Sequence, residues 1–222
     1  MKEKQVNPTP SALPVRTRHR GPEKRPLILA AARTLVSQVG FREAQMSNVA
    51  DLAGIAIGTL YRYFPSKNEL MVEIVASVAQ REVDVVAGVA MADGPAKERL
   101  GRAAWTFASR ALRGRRLAYA LVAEPVDPEI EAARLKYHRA LARVFETIID
   151  QGIRAKEFPS QHVAAAAACM VGCLFEGLVG PLGSDTVVTE GERHSFAAAI
   201  VRFCLQAVAA QEVSFEPEKQ ES

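Results

Sequence analysis

The chain has 222 residues, 49% of them hydrophobic, enough to bury a substantial core in one or two domains. Its 28 Lys/Arg and 25 Asp/Glu leave a net charge of +3, unevenly spread: residues 1–70 hold 11 basic against 5 acidic side chains, residues 71–222 hold 17 against 20. A basic end on a slightly acidic body suits a polyanion at that end alone. Three cysteines, an odd number, do not make a disulfide framework. No charge-free apolar run is long enough to span a bilayer, and the polar, proline-broken N-terminus lacks the apolar stretch of a secretory signal. These features lead us to expect a cytoplasmic protein with no membrane partner. Amphipathic stretches throughout, without β-alternation, predict an all-α fold of about nine helices.

Residues 1–21 read as a flexible basic arm, rich in proline and closing on Arg16, Arg18 and Arg20. It is either a solvated tail or an electrostatic arm laid along phosphates or in a minor groove. A first helix is expected over residues 22–39, with Leu27, Ala31, Leu35 and flanking Ile28 at helical spacing, and with Gly40 ending it. A second, short helix runs from Met46 to about Ala53 and stops at Gly54, where glycine suits a tight turn. A third runs from Ile57 to Tyr63, and Phe64-Pro65 breaks it. Two short helices joined by a glycine-containing turn, here residues 45–64, form a helix-turn-helix, whose second helix enters the DNA major groove.

Side-chain chemistry then assigns roles. Arginine can bond two acceptors on guanine, and Ile57 or the Thr59 methyl can touch a thymine methyl, so base reading falls to Ile57, Thr59 and Arg62. Gly58 lets the helix backbone approach the groove closely. Arg25 or Lys24 of the first helix is expected near the DNA backbone. One short helix makes few base contacts, so useful specificity needs two copies.

Residues 53–70, AGIAIGTLYRYFPSKNEL, resemble the pattern A-G-V-S-x-G-[TS]-[LI]-Y-x-[YH]-F-x-[SN]-K-x-x-L of the tetracycline-repressor (TetR) family of transcriptional regulators. Gly54, Gly58, Thr59, Leu60, Tyr61, Tyr63, Phe64, Ser66, Lys67 and Leu70 match. The resemblance implies that Lys67 and the start of the fourth helix grip one phosphate of double-stranded operator DNA and that Tyr61 donates to another. The alternative for Tyr61 is a half-buried aromatic packing the small domain. It further implies a homodimer placing two recognition helices in successive major grooves, roughly 34–36 Å apart. Two positions depart from the pattern. Ala56 stands where serine usually opens the recognition helix, and Ala44-Gln45 replaces a common Thr-Thr, leaving Ser47 as the nearest hydroxyl.

Ser66 and Glu69 have the spacing of a capping box, and the fourth helix should run from Lys67 to about Val89. Two helices are expected next, from Ala96 to Leu112 and from Arg115 to Ala123, parted by Gly114. The group Arg110, Arg113, Arg115 and Arg116 reads as a solvated helix end complementing the dipole; the alternative is a seat for a phosphate-bearing ligand such as an acyl-CoA. Asp127-Pro128 should start a seventh helix reaching Arg154, with His138 bordering its apolar stripe as a structural hydrogen-bonder or a ligand group.

The eighth helix is expected from about Ser160 to Leu178. Ala165, Cys169, Cys173 and Gly177 form one ridge of small residues, and Ala164, Ala168 and Gly172 the next. The ninth, capped by Thr189 with Glu192, carries Phe196, Ala199, Ile200 and Phe203. These two helices suit a dimer interface, the alternative being an ordinary core. Glu176 and Arg202, single charges in apolar runs, are expected to pair, with pairing across the dimer as one arrangement, the alternative being a ligand-binding role for Glu176. The cysteines, with Cys204 taken to lie elsewhere than Cys169 and Cys173, read as small reduced core residues and not as metal ligands.

The whole reads as a basic arm (1–21), a DNA-binding domain (22–82), a ligand-binding and dimerisation domain (83–216) and a polar tail (217–222). A small-molecule effector would occupy an apolar cavity lined by candidates Trp105, Phe107, Tyr119, Tyr137, His138, Phe145 and Phe175. No metal or cofactor is expected. A helical enzyme is disfavoured because no nucleophile–base set, metal-ligand pair or phosphate-cradling loop is found. An architectural DNA-binding protein without an effector is the other alternative.

Overall fold

A computed structural model describes residues 24–183 and 189–210. The arm with Arg18 and Arg20, the start of the first expected helix, and the tail lie outside the described residues. Among the described residues there are eight helices and no strand. They are α1 (Lys24–Glu43), α2 (Met46–Leu52), α3 (Ile57–Tyr63), α4 (Lys67–Ala90), α5 (Ala96–Val122), α6 (Pro128–Arg154), α7 (Val163–Gly183) and α8 (Glu190–Ala209).

The all-α fold is as expected, and the fifth and sixth expected helices run on as one element, α5, that is kinked where they were expected to part. Gly114 itself stays helical, a glycine inside a helix costing only about 1 kcal/mol relative to alanine. The backbone breaks one residue later, at Arg115 (φ 29°, ψ −94°), and the helix resumes. Gly40 interrupts α1 where expected (φ 85°, ψ 177°), a conformation open essentially to glycine alone. One further turn, Phe41 to Glu43, follows it.

Local capping explains the other boundaries. Thr189 and Glu192 form the full capping box of α8. At α4 the Ser66 side chain accepts from the Glu69 N–H at 3.1 Å, so half of the expected box is present. Asp127 occupies the cap of α6 without the expected side-chain bond, and Pro128 and the acidic first turn of Glu129 and Glu131 favour that start. The α7 helix opens at Val163, later than Ser160, where His162 Nδ1 accepts the Ala165 N–H at 3.2 Å. Glu157 receives the N–H groups of Ala96 and Lys97, both at 3.0 Å, and so caps α5 from a distant loop.

Two apolar cores result. The first gathers Ile28, Leu35, Val36, Phe41, Val49, Leu60, Phe64, Leu70 and Ile74, and also takes in Ala120 of α5 and Ile130 of α6. The second is built by α5, α6, α7, α8 and the far end of α4, around Leu100, Leu141, Phe145, Ile148 and Leu174. The α4 helix serves both, with Leu70 to Val75 in the first and Val86 and Ala90 in the second. By length and composition α7 could cross a membrane, with a mean hydropathy of 1.9, although Glu176 lies within it. One of its faces packs Ala167, Met170, Val171, Leu174 and Leu178 into the second core.

Candidate nucleic-acid interface and effector cavity

The helix-turn-helix is held from beneath and open above. Leu60 is fully buried and Phe64 nearly so, anchoring α3 in the first core. On the opposite face Ile57 is 43% and Tyr61 47% exposed, Arg62 is exposed and Thr59 half-buried. Ile57 and Tyr61 are four apart and so share that face of the helix. Gly54 has φ +63°, which the turn requires. A Cβ at Gly58 would meet nothing within 4 Å, so the protomer itself leaves that position open. The Ala56 cap has no side-chain bond, as its missing oxygen dictates. Gln45 sits at the cap of α2 with its side chain exposed and uninvolved in capping. The exposed Ser47 hydroxyl donates to Asn48 Oδ1 at 3.4 Å, and Tyr63 is half-buried.

Two cations assigned to DNA by sequence have partners within the protomer. Arg25 pairs with Glu73, Nε donating to Oε1 at 3.0 Å, and its guanidinium lies 4.8 Å from the Phe64 ring centre. Lys67 Nζ donates to the Arg42 carbonyl at 2.8 Å, fastening the start of α4 to the last turn of α1.

A compact junction joins this domain to the body. The Glu124 carboxylate, just past α5, accepts the N–H groups of Phe41 (2.9 Å) and Arg42 (2.8 Å). Beside it, Arg134 of α6 is only 6% exposed. Its Nη1 donates to Glu131 at 3.2 Å, its Nη2 donates to the Ala120 carbonyl, and its guanidinium lies 5.9 Å from the Phe41 ring centre.

Next to the junction is a cavity of about 120 Å³ between α4, α5, α6 and α7. Its wall is mainly aliphatic, with Val75, Val78 and Val83 from α4 and Leu117 and Leu121 from α5. Of the expected lining residues, Phe107, Tyr137, His138 and Phe175 are there. The Phe175 ring lies 5.0 Å from Phe107 and 4.0 Å from His138, centre to centre. Trp105, Tyr119 and Phe145 are elsewhere. Trp105 packs edge-on against His194, Tyr119 lies against Gly183, and Phe145 is fully buried in the second core. Sequence reasoning missed Arg134, Glu82 and the inward turn of Arg110, which makes a two-pronged ion pair with Glu82, Nη2 to Oε1 at 2.7 Å. Arg113, Arg115 and Arg116 are exposed. Burial, opposed by Glu131 and aided by Arg134, lowers the His138 pKa, so its imidazole is neutral at pH 7.

Residues 28–74 match the sequence model described as "Bacterial regulatory proteins, tetR family". Those residues form a TetR-family regulatory domain. Over 59 residues the chain is 48% identical to the HTH-type transcriptional repressor KstR of Rhodococcus jostii, covering 27% of this chain and 28% of that protein. It is 40% identical over 78 residues to KstR of Mycolicibacterium smegmatis, covering 35% and 38%. The chain thus matches well under half the length of these relatives. The crystal structure of FadR from Bacillus subtilis in complex with stearoyl-CoA superposes with a TM-score of 0.71 at 18% identity, over 83% of this chain and 99% of that one. At that identity the likeness is one of fold, and it spans the helical body as well as the helix-turn-helix.

Beyond the TetR-family domain, α7 and α8 leave one apolar face uncovered. Ala165, Cys169, Gly172 and Glu176 of α7 are exposed, as are Phe196 (53%), Arg202 and Phe203 (59%) of α8. Cys173, Gly177 and Ile200 are half-buried in the groove between the two helices. Gly177 lets them meet, since a Cβ there would fall 2.8 Å from Ile200. Glu176 and Arg202 form no ion pair with each other among the described residues. Cys204 does not lie apart from the other cysteines. It faces Cys173 across the α7–α8 contact, and burial pushes its thiol up to about 12, keeping it protonated. Cys169, expected in the core, is exposed in the protomer.

Proposed function

We propose that the protein is a homodimeric transcriptional repressor that leaves its operator when a small lipophilic effector enters the α4–α7 cavity. The observation that carries this is the dual membership of α4. The helix that walls the cavity with Val75, Val78, Ala79, Glu82 and Val83 also packs the DNA-reading domain with Leu70, Met71 and Ile74. An effector that displaces the wall therefore moves the recognition helices. The repressor names of the relatives support the regulatory reading. The FadR complex with stearoyl-CoA supports a lipophilic effector.

The volume supports displacement too. A cavity near 120 Å³ is comparable to one of about 150 Å³ that holds a benzene-sized guest. A longer ligand must push the helices apart. Release requires unequal affinity for the two conformers: a swing from 1:99 to 99:1 takes roughly 10⁴-fold preference. The exposed face with Phe196 and Phe203 is assigned to the dimer, and Ile57, Thr59 and Arg62 to bases. Tyr61 and Lys67, together with Arg25, Gln45, Ser47, Gly58 and Tyr63, are assigned to the DNA backbone and its close approach.

Selection of bound sequences from random duplex DNA, followed by a screen of lipophilic compounds for loss of binding, tests the proposal. Equal affinity for selected and scrambled DNA at one salt concentration would refute it.

A further inference from the structure

We propose that Arg134 and His138 form a subsite for an acceptor oxygen, carbonyl or carboxylate, on an otherwise apolar effector. The inference rests on the reading of the cavity as the effector site and adds the chemistry of what that site selects.

The cavity wall contains few polar groups. Glu82 and Arg110 satisfy one another. Arg134 and His138 do not complete their hydrogen bonding. Two Arg134 nitrogens are engaged, by Glu131 and the Ala120 carbonyl, yet its buried Nε has no partner, and neither does the buried Nε2 of His138. A buried N–H without a partner is a standing cost that a ligand oxygen removes. The two residues are four apart on α6, hence on one face about one turn from each other. Arginine Nε can only donate, so the ligand atom opposite must accept. A neutral imidazole can carry its proton on Nε2 and donate to the same atom. Glu131 already balances the Arg134 charge, so a neutral carbonyl satisfies the site as a carboxylate does.

The subsite also faces the junction. The other arms of Arg134 hold the end of α5 at Ala120, and its guanidinium plane stands over Phe41. Phe41 is in turn tied to Glu124, and the Arg42 carbonyl to Lys67. An oxygen that draws Arg134 toward the cavity therefore acts on the contact between body and reader.

The test measures binding of octanoate, its methyl-ketone counterpart and an alkane of equal heavy-atom count to the full chain by calorimetry. The same series is run on Arg134→Lys and His138→Phe, each checked for helical content. The wild type should prefer both oxygenated probes over the alkane by about ten-fold. Each variant should bring that ratio to roughly two-fold or less, whatever its alkane affinity. A carboxylate bound more tightly than the ketone would mark recognition of an anion, and equal affinities a neutral carbonyl; both support the subsite. An undiminished preference in both folded variants, or no preference in the wild type, overturns the subsite and leaves the cavity reading intact. Binding of none of the three overturns both. If Arg134→Lys fails to fold, His138→Phe decides, because its ring can keep the contact with Phe175.

Discussion

The carboxylate of Glu124 caps the turn that follows Gly40, receiving the N–H groups of both Phe41 and Arg42. Gly40 leaves it room: an ideal Cβ there would lie 2.6 Å from a Glu124 oxygen, on a backbone with φ +85°. Gly40→Ala should therefore lose about 1–3 kcal/mol from backbone strain alone. Glu124→Gln should lose about 1 kcal/mol, in the range of a lost helix cap. Urea denaturation of both variants measures this, and unchanged midpoints would remove the junction from the account.

For DNA recognition, Arg62→Ala should relax base preference at one operator position, by about 1–3 kcal/mol. Lys67→Ala should weaken all duplexes alike and flatten the salt dependence by about one phosphate contact. Because Lys67 also holds the Arg42 carbonyl, a modest fall in thermal stability should accompany it. Binding titrations against operator variants at several salt concentrations distinguish the roles. Altered base preference in Lys67→Ala with none in Arg62→Ala would reverse the assignment.

The α7–α8 face offers a clean separation of folding from assembly. A Cβ at Gly172 would meet nothing within 4 Å, and helical glycine is less stable than alanine by roughly 0.5–1 kcal/mol. Gly172→Phe should thus fold at least as well as the wild type, yet sediment as a monomer and bind operator weakly. Retention of a dimer would place the interface elsewhere.

Stability should fall on mild acidification. The His138 pKa is lowered, chiefly by burial, so below about pH 6.5 the unfolded chain takes up the proton before the folded one does. The stabilisation is complete above that value and is lost as pH falls toward the folded-state pKa. Glu157 and Glu192, whose pKa values are lowered by backbone N–H donors at helix starts, lose their contributions only at more acid pH, below the carboxylate value of 4.5. Melting temperatures between about pH 5 and 8 should slope upward in the wild type and flatten in His138→Phe. A parallel slope in the variant would assign the effect to another group.

What the chain discloses in advance follows the reach of its interactions. The turn at Gly54, the break at Gly40 and the Thr189–Glu192 box depend on residues within a few positions of each other, and all were legible. The junction was not. Glu124 meets Phe41 across 83 positions and Arg110 meets Glu82 across 28, and no local pattern encodes such pairings. The cavity was half legible for a related reason. Aromatic type shows that a side chain will be covered, but whether Phe107 or Phe145 reaches the void depends on how α5 and α6 rotate about their axes. The break inside α5 was legible to within one residue, at Arg115 beside Gly114.

The continuity of α4 through both cores sets a rule of phase. Adding or removing one residue between Val75 and Val86 would turn everything beyond it by about 100° and slide it about 1.5 Å. Hybrids that graft this reader onto another body must therefore conserve residue count along that segment, or the transplanted halves will meet out of step.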